Sequence, residues 1–154
     1  MSLVIRTASL VAALVLGPPA LASSAPPNAE AVRAEAAPAE YSVEVEGATL
    51  KAGGAAAALV RIKAAAGYHW NKEYPAKATV TDGSAGAVEV KTREFKQLAG
   101  GFEATDGEAL VRIPVAGKSA GRETLTVETR FSVCNDKVCL IKKATAEIPI
   151  VVTN

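Results

Sequence analysis

Cys134 and Cys139 are the only cysteines in this chain of 154 residues. They sit in the run Phe131-Ser132-Val133-Cys134-Asn135-Asp136-Lys137-Val138-Cys139-Leu140-Ile141. Asn135-Asp136-Lys137 is turn chemistry, and strand-forming residues flank it on both sides. Folded as a hairpin, the segment sets the cysteines opposite each other. Facing Cα atoms of an antiparallel pair lie about 4.5 to 5.5 Å apart, within disulfide range. A cross-strand bond is expected in the oxidised protein.

Such a bond is either a staple or a redox centre. As a staple it closes a very short loop, which stabilises by only about 2 kcal/mol on the chain-entropy estimate. A structural disulfide of the immunoglobulin type ties distant strands of two sheets. Here the bond joins neighbours that a turn already holds. Strained, exposed disulfides have the higher potentials and are the labile or catalytic ones, which tilts the reading toward redox exchange. Arg130 and Lys137 favour a thiolate, Asp136 opposes it, and no helix N-terminus is at hand to activate a thiol. The pair suits attack by a partner's thiolate followed by onward transfer of electrons. The sequence leaves open which cysteine is attacked.

His69 is the only histidine. With Cys134 and Cys139 it would make a soft-metal set. The one methionine is Met1, so a copper chaperone built on thioethers is disfavoured. His69 is read as a loop residue, and no metal or cofactor is expected. One histidine also leaves no Ser-His-Asp set for hydrolysis. Lys plus Arg number 17 against 16 for Asp plus Glu, and aromatics are 5%. That balance shows no basic stripe and no stacking platform, so nucleic acid is not an expected partner.

The elements that must position the pair follow from patterning. Residues 1–22 read as a cleavable secretory signal: Arg6, an apolar run over Ala8–Leu16, and Ala20-Leu21-Ala22 before Ser23. The run is too short to span a bilayer, so stable membrane insertion is not expected. Removing the signal takes away only Arg6 among charged residues, which leaves the formal net charge at zero. Export places the cysteines, in the periplasm or outside, where disulfides persist. Residues 23–40 are Ala-, Pro- and Glu-rich and read as a flexible tether. From Tyr41 to the end, apolar and polar residues alternate in short β-branched runs separated by Gly and Asp-Gly breakers. That pattern predicts an all-β immunoglobulin-like sandwich of about seven or eight strands over residues 41–154. In the longest strand Leu125, Val127, Phe131 and Val133 point inward. Ser132 and Cys134 share the outward parity, so Cys134 is expected on the polar face.

The segment FSVCNDKVCLI, with a strand after it, resembles the N-terminal periplasmic domain of the thiol:disulfide interchange protein DsbD. Gly67-Tyr68-His69-Trp70-Asn71-Lys72-Glu73-Tyr74-Pro75 looks like that family's aromatic segment. Leu98-Ala99-Gly100-Gly101-Phe102-Glu103-Ala104-Thr105-Asp106 sits where the family has its cap loop. The resemblance covers roughly Tyr41 to Val152. It implies an immunoglobulin-like domain whose Cys134/Cys139 pair takes electrons from a membrane-embedded domain and hands them to oxidised exported partners. It also implies a cap at Phe102, an aromatic wall at Tyr68 and Trp70, and a nearby carboxylate at Glu103 or Asp106. Phe102, in a Gly-rich loop, is read as an exposed lid. The 154 residues carry neither the family's transmembrane domain nor its thioredoxin-like domain. The expected electron source is therefore a separate membrane thiol-electron transporter, and the expected clients are thioredoxin-like or other exported thiol proteins. Leu140-Ile141-Lys142-Lys143 stands where family members often have prolines. The competing reading is a non-catalytic immunoglobulin-like binding or assembly module with a structural hairpin disulfide.

Overall fold

The computed structural model describes residues 39–83 and 86–154. The signal segment 1–22 and residues 23–38 of the expected tether lie outside the described residues. Glu40, the last residue assigned to that tether, belongs to the folded domain. Its carbonyl accepts from Ala65 N–H at 3.0 Å, and its carboxylate pairs with Lys142 at 2.9 Å.

Among the described residues eleven strands form two sheets: β1 (Tyr41–Glu46), β2 (Ala48–Lys51), β3 (Ala55–Ala64), β4 (His69–Trp70), β5 (Lys77–Asp82), β6 (Val88–Glu89), β7 (Glu94–Lys96), β8 (Glu103–Ala104), β9 (Glu108–Gly117), β10 (Gly121–Cys134) and β11 (Cys139–Thr153). The first sheet runs β1-β3-β9-β6, with β8 also on β9. The second runs β2-β11-β10-β5-β7, with β4 also on β10. The long alternating runs were legible as strands. β6 falls in the alternating run Val88-Glu89-Val90-Lys91, whereas the two-residue strands β4 and β8 are too short to show a period, and their pairing comes from long neighbours.

The inner faces close on one core. Val60, Ile62, Val111 and Ile113 come from the first sheet; Leu125, Val127, Phe131, Val133, Ile148 and Ile150 come from the second. This is the β-sandwich expected from the alternation. The first edge of the chain serves both sheets: β1 pairs antiparallel with β3, then β2 pairs parallel with β11. Gly47 makes the crossover, because a Cβ there would lie 2.2 Å from the Pro149 carbonyl oxygen.

β10 and β11 position the cysteines. Their antiparallel ladder runs unbroken from Gly121↔Val152 to Cys134↔Cys139. One strand face is anchored in the core along its length, which fixes the register. The pair therefore stands at the tip of the longest ribbon among the described residues.

Candidate functional site: the cysteine hairpin

Cys134 and Cys139 are joined by a disulfide, with Cα atoms 3.9 Å apart. Asn135 builds the turn between them. Its side-chain oxygen accepts from Lys137 N–H and Val138 N–H, both at 2.9 Å, and its own N–H donates to Val138 O at 2.9 Å. An asparagine folding its side chain onto the following backbone is the expected chemistry for so tight a reversal.

The two sulfurs are not equivalent. Cys134 is 4% exposed, whereas Cys139 is exposed. This corrects the expectation that the outward parity of Cys134 would make it accessible. Parity assigns a side chain to a face but does not say what covers that face. At this end β10 has neighbours on both edges, β11 and β4, and Asn71 N–H beyond β4 donates to Ser132 O at 3.0 Å. Ser132 and Cys134 are buried together as a result.

A shallow depression of about 430 Å³ lies over the disulfide, lined by His69, Lys72, Glu73, Asp106, Cys134 and Cys139 among others. A larger groove, about 740 Å³, is elsewhere, on the second sheet around Arg130, Ile141 and Lys143. It contains no cysteine; both cysteines line the smaller depression. Ile141 and Val138, close to Cys139 in the chain, are among the exposed large apolar residues.

The aromatic residues form the floor beneath the hairpin. Trp70 is 1% exposed, stacks on Phe131 at 5.2 Å between ring centroids, and lies 6.0 Å from Phe102. Tyr41 meets Phe131 in an edge-to-face contact at 4.9 Å between ring centroids. The Trp70 indole N–H donates to Gln97 Oε1 at 2.7 Å. Gln97 in turn donates to the carbonyls of Asn71, Lys72 and Tyr74, which fixes the segment after β4. Gln97 was missed in the sequence, where one glutamine carries no signal. Tyr68 is half-buried and packs on the edge of the core.

Phe102 is not an exposed lid. It is 8% exposed and belongs to the core. Of the glycines before it, Gly100 supplies a left-handed turn and Gly101 a close approach to β7. Gly100 takes φ 78°, and a Cβ on Gly101 would lie 2.7 Å from Lys96 N. The chain doubles back tightly on β7, Gly101 N–H donates to Lys96 O at 2.8 Å, and Phe102 is turned inward.

Of the two candidate carboxylates, only Asp106 lines the depression. It pairs with Lys72 at 2.7 Å, and the hydrogen bond and charge of Lys72, followed by the charge of His69, hold its carboxyl below the ordinary value. Glu103 is instead engaged by Arg112 on β9, at 2.6 Å, which lowers its pKa. His69, read as a loop residue, is on β4 and stands directly across from Cys134 in the ladder. Among the described residues no three His, Cys, Asp or Glu side chains converge as metal ligands. No helix among them is long and apolar enough to cross a membrane.

Neither a family model nor a curated protein matches the chain. Two solved structures are similar in part. One is AggA, the major subunit of aggregative adherence fimbriae type I from Escherichia coli, at 11% identity and a TM-score of 0.37, covering 73% of this chain and 94% of that one. The other is the ASH / PapD-like domain of human CEP192, at 11% identity and a TM-score of 0.34, covering 73% of this chain and 83% of that one. Similarity this low says nothing about activity. The strands themselves establish what this chain is: an immunoglobulin-like β-sandwich with a disulfide at the tip of its longest hairpin.

Proposed function

We propose that the domain is an exported thiol:disulfide exchange protein of the kind found at the N-terminus of DsbD, relaying electrons through Cys134 and Cys139. One observation carries this reading: a single bond joins an exposed cysteine to a buried one at the tip of a long β-ribbon. Disulfide exchange needs one reachable sulfur to attack and one sheltered sulfur to leave and later return.

In the proposed reaction a partner's thiolate attacks Cys139 Sγ. A bond forms between the two sulfurs, the Cys139–Cys134 bond breaks, and its electron pair goes to Cys134 Sγ. A second partner thiolate then attacks the partner's own sulfur in the mixed disulfide and releases Cys139. The partner dithiol ends as a disulfide, and the hairpin pair has gained two electrons and two protons. Running in reverse, the reduced pair donates to an oxidised client. The electron source is a separate membrane thiol transporter, and the clients are thioredoxin-like or other exported thiol proteins. Exposed Val138 and Ile141 beside Cys139 give such a partner apolar surface to rest on.

The reading is tested by mixing the oxidised domain with a reduced thioredoxin and following free thiols on the domain by alkylation. Transfer is expected, with a transient mixed disulfide. A hairpin that stays oxidised while dithiothreitol reduces it readily would mean that a protein partner cannot reach Cys139, and would end this proposal.

A further inference from the structure

The ladder places His69 opposite Cys134, and Cys139 opposite Cys134 on its other edge. The three residues form one row across the sheet, and paired residues project to the same face with Cβ atoms about 4.5 to 5.5 Å apart. His69 is exposed, while Cys134 beside it is 4% exposed. All three line the depression over the disulfide. When the bond opens, charge appears on the buried sulfur, and a buried thiolate is costly unless something neutralises it. Lys72, the lysine lining this depression, is already engaged by Asp106. Lys137 is exposed in the turn. An imidazole is the side chain suited to give and take a proton near neutrality.

We infer that His69 is the proton-transfer partner of Cys134; the inference rests on the exchange reaction proposed above. As the partner's thiolate bonds to Cys139 Sγ, the Cys139–Cys134 bond breaks and its electron pair passes to Cys134 Sγ. The imidazolium proton of His69 follows, leaving a Cys134 thiol and a neutral ring. In the return step neutral His69 removes that proton. The Cys134 thiolate then attacks Cys139 Sγ in the mixed disulfide and expels the partner thiolate. The charged groups that face His69 across the depression are Lys72 and Glu73 from the segment after β4, and Asp106 from the β8–β9 turn.

The test uses the Cys139→Ser variant, which frees Cys134, and follows thiolate formation by its ultraviolet absorbance across pH. Adding His69→Ala is expected to leave about tenfold less thiolate below the midpoint. His69→Lys, a fixed cation that does not release its proton near neutrality, is expected to stabilise the thiolate at all pH values without restoring a curve that bends with the imidazole. A curve identical to that of the His69 protein would mean that charge alone is at work and would overturn the inference. Because His69 is exposed, these variants keep the fold. Superimposable titration curves with and without His69 would overturn the inference. The two proposals fail separately. A His69-dependent titration in a protein whose intact pair resists glutathione removes the relay and keeps the coupling. Unchanged titration in a pair that exchanges freely does the reverse.

Discussion

Replacing Cys134 by serine is expected to leave the protein covalently attached to its partners, whereas replacing Cys139 is expected to leave it nearly unattached. The difference follows from exposure. With Cys134 gone, Cys139 stays at the surface and forms a mixed disulfide that no neighbouring thiol can resolve. With Cys139 gone, the remaining cysteine is one that is 4% exposed in the intact hairpin, flanked by β4 and β11. A thiol so enclosed reacts slowly whatever its intrinsic nucleophilicity. The check is non-reducing electrophoresis of each variant after expression in an exporting cell. Trapped adducts should be at least about tenfold more abundant for Cys134→Ser. Equal trapping by both variants would mean that access does not decide which sulfur is attacked.

Trp70→Ala is expected to be the most destabilising single change near the site, by about 3 to 5 kcal/mol. Trp70 is 1% exposed, stacks on Phe131 and packs near Phe102. Its removal opens a cavity directly under the hairpin. It also leaves Gln97 without its indole donor, and Gln97 holds the backbone of Asn71, Lys72 and Tyr74 in place. Trp70→Phe keeps much of the stack and loses mainly that hydrogen bond, so a cost of about 1 kcal/mol beyond the lost volume is expected. Urea unfolding midpoints of the two variants and the parent give both numbers. A cost under about 1 kcal/mol for Trp70→Ala would show that the aromatic floor does not support the hairpin.

These expectations depend on features the sequence revealed unequally. Alternation exposed the long strands because their inner faces are buried on one side only. The Cys134–Cys139 pairing was legible because Asn135 is turn chemistry and the flanking residues fix the register. The row His69–Cys134–Cys139 was hidden, since β4 is two residues long and two residues have no period. Phe102 was misread because glycine signals a special backbone conformation, and that serves close packing as readily as motion. The inequality of the two sulfurs was invisible for a related reason. It depends on β4 lying against one edge of β10, a contact between segments some 60 residues apart in the chain.

The redox claim is tested most directly by the midpoint potential of the Cys134/Cys139 pair, obtained by equilibrating the domain against graded glutathione buffers and counting free thiols. A relay requires a pair that can be opened by exported thiol proteins, so a midpoint clearly above about −300 mV is expected. A midpoint well below about −300 mV would mark the bond as a permanent brace at the hairpin tip and would contradict the proposed function.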